Sequence, residues 1–385
     1  MLTETPCKFI DRNIKRYVMR VDNKENIIGI IGLGGTIGKC TYQILNKSFS
    51  QIYGGQRHIS EDNSIKAKWK VVDAFCLDDI KEFGKKCDVL LNCSGPSYFI
   101  SDNIARTIID LDIPYIDVFG ANVFDKRQYY GNQQYIIGAG SFPGFSGIII
   151  KYLIEKYFDK VDEVKVYYGT NEKISKTAAV DFILSTRRGF TIPSAEIYKS
   201  EIIHSNKGLM EPWLLPGTNI KLFLQKCLNQ EAIEISSKYN IKNMCWYNTV
   251  PSYRRMAELS SIHQELNTDT SETKLFAAAE KMSNMYKGIH SNKSWNFQVT
   301  EISGTMGRKT VKKRHIFFTE SGNLVTGIVA GLASNLISKS PIYRGVHWAY
   351  EIVKYEDVIK ELKDNFAKVD CNIIDLVTEY DEGII

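Results

Sequence analysis

The residues whose type and spacing carry chemistry come early. Gly32, Gly35 and Gly38 form G-x-x-G-x-x-G. The motif follows a short apolar run, NIIGIIGLGG, and opens TIGKCTYQILNK, whose Ile37, Cys40, Ile44 and Leu45 fall on one helical face. Glycine serves three needs at such a strand-to-helix turn: the chain turns tightly, the backbone approaches a pyrophosphate, and helix packs close on strand. The phosphates then meet free N–H groups at the positive end of the helix dipole. Gly34, Thr36 and Ile37 lie in the same loop and join the candidate contacts. The alternative start Gly32-x-Gly34 fails, because its third glycine would fall at Ile37. The plainer reading is a glycine-rich turn that binds nothing.

The second strand adds a preference. An NAD site typically carries Asp or Glu about 20 residues on, to hold the ribose 2′-OH. Here the segment reads IYGGQRH, and its one fully charged group is Arg57, with His58 beside it. The first acids, Glu61 and Asp62, come later in a loop. A planar guanidinium suits a 2′-phosphate. NADP(H) is therefore the expected cofactor; otherwise Arg57 is a solvated loop residue.

These residues need a scaffold. Strands are expected near 51–53, 68–74, in CDVLLNCSGPSY, in PYIDVFG and in QYIIGAGSFPG. Helices are expected in LDDIKEFGKK and in SDNIARTIIDLD, with Ser101 or Asp102 as N-cap. Alternating strands and helices across 26–144 predict a doubly wound parallel sheet. Beyond Gly147 the texture changes. IIIKYLIEKYF reads as an amphipathic helix, and DEVKVYYGT, SWNFQVTEISG and KKRHIFFTE as longer alternating strands of a mixed or antiparallel sheet. SGTMGRKT reads as a hairpin connection. Residues 323–338 form a strongly apolar helix, and VKYEDVIKELKDNFAKVD an amphipathic tail. The expected fold class is α/β: a Rossmann-type doubly wound sheet plus a second α+β domain. The expected division is an extension over 1–25, a cofactor domain over 26–144, a substrate and dimerisation domain over 145–340, and a segment over 341–385.

Composition narrows the class. The chain has 385 residues, 44% hydrophobic and 24% charged, which is ordinary for a folded globular protein. Its 49 basic and 44 acidic residues give a net charge of only +5, too little for a nucleic-acid footprint. No run reaches the roughly 18 apolar residues of a membrane span, and no apolar leader opens the chain, so a cytoplasmic protein is expected. The eight cysteines include no C-x-x-C pair, and no His/Cys/Asp/Glu cluster has metal-ligand spacing, so no metal is expected.

Four stretches then resemble one family. GLGGTIG with YGGQR, LLNCSGPSY, IPYIDVFG and GAGSFPGFSGII are similar to the saccharopine dehydrogenase-like NADP-dependent oxidoreductases. A looser match joins WNFQVTEISGTMGRKTVKKRH and LVTGIVAGLAS. The resemblance implies a C-terminal segment that returns to the Rossmann domain, a homodimer, and hydride transfer, often to an imine carbon. It implies that Ser94, Gly95 and Pro96 run along the nicotinamide ribose, and that Ser141, Phe142, Pro143 and Gly144 turn beside the nicotinamide. One departure stands out: Lys176 occupies a family glycine position in SKTAAVDFILST. Related reductases also act on carrier-bound intermediates.

Candidates for the chemistry lie on loops at the carboxyl ends of the strands. Tyr98 follows such a loop and is placed to donate a proton or stack on a ring. Asp117, a lone carboxylate in an apolar strand, must be paired, solvated or raised in pKa. Lys176 and Thr177 are candidates from the second domain. His204 and His347 are candidates by residue type, since histidine is a common general acid, though each also reads as a structural histidine. Arg187-Arg188 and Arg254-Arg255 could hold a carboxylate or form a solvated face. The basic run from Arg308 to His315 could dock an acidic carrier or simply guard an edge strand. The leading expectation is an NADPH-dependent reductase of a C=N bond, or the reverse dehydrogenase, acting on a small-molecule or carrier-bound substrate. The alternatives are a carrier-linked enoyl reductase and a non-catalytic NADP-binding regulator.

Overall fold

The computed structural model describes residues 26–49, 51–59, 64–205, 211–268, 271–287, 294–339, 342, 344–365 and 368–376. The expected N-terminal extension, and Glu61 and Asp62, lie outside the described residues. The first sheet contains β1 (Ile27–Ile31), β2 (Gln51–Gln56), β3 (Lys68–Val71), β4 (Val89–Asn92), β5 (Tyr115–Asp117) and β6 (Gln134–Ile137). Their order is β3-β2-β1-β4-β5-β6, all parallel, and β16 (Gly345–Trp348) adds a parallel strand beside β6. The chain reverses its strand order between β1 and β4, where ligands bind in such sheets. The apolar runs follow from burial on both faces: Ile28, Ile30, Leu90 and Leu91 are fully buried.

Three helices accompany this half: α1 (Thr36–Leu45), α2 (Leu77–Gly84) and α3 (Ser97–Thr107). The α3 helix starts earlier than the expected cap at Ser101 or Asp102, because Pro96, with its fixed φ, stands at the N-cap. Asp102 lies inside the helix and serves a buried cluster instead, accepting from Lys126 at 2.7 Å and Tyr130 at 2.7 Å.

The second sheet has ten strands: β7 (Lys160–Asn171), β8 (Thr191–Pro193), β9 (Ala195–Tyr198), β10 (Glu201–His204), β11 (Trp213–Leu214), β12 (Lys221–Asn229), β13 (Asn243–Val250), β14 (Trp295–Met306), β15 (Lys309–Thr319) and β17 (Val369–Asp375). Its main path runs β10-β9-β13-β7-β14-β15-β17. The β13–β7 pair is parallel and the other described pairings are antiparallel. The helices here are α4 (Phe145–Tyr157), α5 (Lys176–Arg187), α6 (Gln230–Lys238), α7 (Tyr253–Thr268) and α8 (Glu272–Met285). The SGTMGRKT segment is mostly strand: Met306 pairs with Lys309, so the turn is only Gly307 and Arg308.

The chain then crosses back. Helix α9 (Gly322–Lys339) lies on α1 so closely that a Cβ at Gly327 would sit 2.5 Å from the Cys40 Cβ. Helices α10 (Ala349–Ile352) and α11 (Tyr355–Asn365) follow β16. The tail is not one helix. After α11 the stretch VDCNIID, with its alternating half-buried and exposed residues, pairs with β15 as β17. One apolar core joins both sheets, from Ile28 and Leu91 to Val166, Trp246 and Phe317.

Candidate functional site

The glycine loop closes on itself as its sequence suggests. Gly32 has φ +81°, and a Cβ there would lie 3.0 Å from the backbone N of Ser94. A Cβ on Gly38 would come 2.3 Å from the Gly32 oxygen. The loop therefore admits only glycine at these two positions and lies directly against the turn after β4. The Gly34 N–H donates to Gln56 Oε1 at 2.8 Å, and Gly35 N–H to the Gly32 oxygen at 3.0 Å. Gly35 stands at the N-cap of α1. Among the described residues no side chain caps α1, and its first turn contains no acid, so Thr36, Ile37 and Gly38 open an uncapped helix end. Gln56, a neutral amide, ends β2. Arg57 follows it, exposed and with no ion pair among the described residues.

The other helix ends near this point are closed by carboxylates. The N–H groups of Ser97 and Tyr98, at the start of α3, donate to Asp181 at 2.8 and 3.2 Å. Asp181 belongs to α5, in the other half of the molecule. Its neighbour on the same face, Thr177, also approaches Gly95. Burial pushes the Asp181 carboxyl up to about 7, against the pull of those two N–H groups. The Gly144 N–H donates to Glu231 of α6 at 2.7 Å, and the Ser146 hydroxyl donates to it at 2.5 Å. Glu231 is fully buried and its carboxyl is raised to about 7 by burial. Glu172, at the end of β7, accepts from the Gly322 N–H, the Ser321 hydroxyl and Asn323 at the start of α9.

The turn from Ser141 to Gly144 is built tightly into this junction. The Ser141 N–H donates to Thr326 of α9 at 3.0 Å. The Phe142 ring packs against Tyr168 and Trp246, with centroids 5.1 and 5.0 Å away. Gly144 has φ +129°, and a Cβ there would meet two backbone oxygens at 2.3 Å. Pro143 follows a cis peptide bond, as does Pro96.

Asp117 is the site candidate whose place departs most from a catalytic group. It is fully buried, and both carboxylate oxygens are used. One accepts from Asn92 at 2.9 Å and the Tyr115 hydroxyl at 2.5 Å; the other accepts from the N–H groups of Phe119 and Gly120 at 2.9 and 2.8 Å. Burial raises its pKa, and those donors oppose the rise. It holds the turn after β5 and reaches no cleft.

Tyr98 does line a cleft. With Phe119, Phe190 and the charged residues Asp125 and Arg188, it borders a slot between the turn after β5 and the turn after α5. Burial raises its phenol well above the usual value, so it keeps its proton at neutral pH. Lys176 points elsewhere and pairs with Glu280 of α8 at 2.9 Å. His204 is exposed on β10, and His347 lies 3.8 Å from Glu351. Arg187 donates to the Leu266 oxygen, while Arg254 and Arg255 pair with Glu258. The basic run is divided: Arg314 pairs with Glu301 at 2.6 Å and Lys313 pairs with Asp375, while His315 is fully buried against Tyr355.

Sequence reasoning missed Asp181, Glu231, Glu172 and Gln56. Asp181 had a weak signal: Thr177, Asp181 and Arg188 share one face of α5, opposite Ala179, Val180 and Ile183. Glu231, in the first turn of α6, reads as an ordinary N-terminal acid until its burial is seen.

No family model matches the sequence, and no curated protein matches it. Solved structures do match. Apo saccharopine dehydrogenase (L-Glu forming) from Saccharomyces cerevisiae superposes with a TM-score of 0.64 at 12% identity, over 91% of this chain and 100% of that one. A dehydrogenase (MviM) from Clostridium difficile covers 88% of this chain and 97% of its own, at 12% identity and a TM-score of only 0.39. A uronate dehydrogenase from Agrobacterium tumefaciens covers 24% of this chain and 40% of its own, at 8% identity and a TM-score of 0.23. Only the first is close enough to carry an argument. Among the described residues no helix is long and apolar enough to cross a membrane. The chain has the saccharopine dehydrogenase-like fold, an α/β architecture with a parallel Rossmann sheet and a second mixed sheet.

Proposed function

We propose that the protein is an NADP(H)-dependent oxidoreductase that reduces a C=N bond of an amino-acid-derived imine, or runs the reverse dehydrogenation. The observation that carries this reading is the uncapped end of α1. It stands at the strand-order reversal, beside a loop that admits only glycine, while Asp181, Glu231 and Glu172 close the ends of α3, α4 and α9. Gly32, Gly34, Gly35, Thr36, Ile37 and Gly38 would hold the pyrophosphate. Ser94, Gly95 and Pro96, with Ser141 to Gly144, would frame the nicotinamide.

A neutral Gln56 in place of an acid, followed by exposed Arg57, favours a 2′-phosphate over a free 2′-hydroxyl. The cofactor supplies the hydride. The electron pair of the C=N bond goes to nitrogen, which needs a proton or arrives already protonated. Tyr98 is the proton-bearing group we assign to the cleft, and Asp117 a positioning residue beneath it.

The test is a titration of NADPH and NADH with wild type and Arg57→Ala. NADPH is expected to bind more tightly, and the variant to lose about 1.5–3 kcal/mol for NADPH alone. Equal affinities unchanged by the substitution would refute the NADP preference, and no binding of either would refute the oxidoreductase reading.

A further inference from the structure

The turn after β4 is walled on three sides. The glycine loop forms one wall: a Cβ on Gly32 would lie 3.0 Å from the Ser94 nitrogen. The floor comes from the same sheet, where the Ser94 N–H donates to Asn92 Oδ1 at 3.0 Å and Asn92 donates to Asp117 at 2.9 Å. The third wall belongs to the other half of the molecule. A Cβ on Gly95 would meet Asp181 Oδ2 at 3.2 Å and the Thr177 Cβ at 3.5 Å, both on α5.

Asp181 does more than fill space. Helix α3 starts at Ser97, straight after Pro96, and no side chain of its own N-cap residue closes it. Its first two N–H groups, those of Ser97 and Tyr98, donate to separate oxygens of Asp181 at 2.8 and 3.2 Å. A carboxylate accepts at both oxygens, whereas an amide in its place would set an NH2 group against one of these donors. Its negative charge also suits the positive end of α3. One residue thereby fixes the helix that the turn runs into, and with it the gap between the turn and the glycine loop.

We infer that Asp181 is a positioning residue for the nicotinamide half of the cofactor: from the second half of the molecule it sets the turn from Ser94 to Pro96 against the glycine loop. The inference rests on the cofactor reading above and adds to it a control by protonation. Burial raises the Asp181 carboxyl to about 7, against the pull of the two N–H groups, and the charge of Asp117 on β5 adds to the rise. Tyr98 faces it from α3. Lys176 on its own helix and Glu280 on α8 pair with each other, and β8 brings no charged residue. The ionised carboxylate, which accepts both N–H groups, is therefore lost as pH falls through about 7. The hold on the nicotinamide half weakens with it, while the adenosine half, near Arg57, is untouched.

The experiment is a titration of the full chain, wild type and Asp181→Asn, with NADP+ and with 2′,5′-ADP, which lacks the nicotinamide riboside. The substitution keeps the shape of the side chain, and 2′,5′-ADP reports whether the glycine loop is intact. Every titrating group except Asp181 is common to both proteins, so the advantage of wild type over the variant isolates this carboxylate. For NADP+ that advantage is expected to be about tenfold at pH 8 and about twofold at pH 6. For 2′,5′-ADP it is expected to stay within about twofold at both pH values. An NADP+ advantage that is absent or flat in pH, or an equal loss of both ligands, overturns the assignment. The cofactor reading then still stands if wild type binds both ligands; wild type that binds neither overturns the reading and the assignment together.

Discussion

The end of α1 and the ends of α3, α4 and α9 face the same junction and are finished in opposite ways. Each of the last three receives a carboxylate, from the residue after β7, from α5 or from α6, fully buried for Glu231 and half-buried for the other two, that accepts from main-chain N–H groups. Among the described residues the α1 end receives none. The remaining end is the one our proposal assigns to the cofactor phosphates. The contrast also shows that the cleft is set by the second half of the molecule, because the residues that hold α3 and α4 in place come from there.

The comparison is broken most severely at the open end. Gly38→Ala would drive a Cβ to 2.3 Å from the Gly32 oxygen. It is expected to weaken dinucleotide binding at least about a hundredfold, near 2.7 kcal/mol. An NADPH titration checks it, and near-normal affinity would show that the loop is not the phosphate site. At a closed end, Glu231→Ala strips an acceptor from Gly144 and Ser146. The expected loss in urea-denaturation stability is about 3 kcal/mol, since buried donors without partners cost about 1–3 kcal/mol each. A loss below about 1 kcal/mol would mean water replaces the carboxylate easily.

The closed ends also predict a pH profile. Burial raises Asp181 and Glu231 to about 7, above their unfolded values near 4. Between about pH 4 and 7 the folded state then binds more protons than the unfolded chain, so stability falls as pH rises through that window. Melting temperature measured from pH 5 to 8 should decline, and Glu231→Gln should flatten the decline. A wild-type profile that rises across the window contradicts the shifts. The smallest effect is expected at Lys176, on the same helix as Asp181 but paired outward with half-exposed Glu280. Lys176→Ala should leave cofactor affinity and melting temperature unchanged, and a clear loss of affinity would place it in the cleft after all.

What could be read from the sequence follows from how local each feature is. The glycine loop, β1, β4 and β6 of the seven-stranded first sheet and the apolar α9 declare themselves through spacing and apolar runs, because both faces of a parallel sheet are covered there, whereas the half-exposed β3 and the short β16 carry no such run. Asp117 was legible as a buried carboxylate but not as a saturated one, since its partners Asn92 and Tyr115 are known only once β4 and β5 lie side by side. Asp181 and Glu231 were invisible for the same reason: each acts on a helix 83 or more residues away. The tail misled because α11 and β17 are adjacent, and the helical period of the first overran the strand period of the second.

The chain passes between the two sheets three times, from β6 into α4, from β15 into α9 and from α11 into β17. A protein made of two beads on one string can open like a book about a single hinge. Three strings tie these halves together, and α9 is seated on α1 through Gly327 and Gly331. Any motion that parts the two halves must deform all three connections at once. Cutting the chain near residue 144 would leave the first half without the helix and the edge strand that finish it.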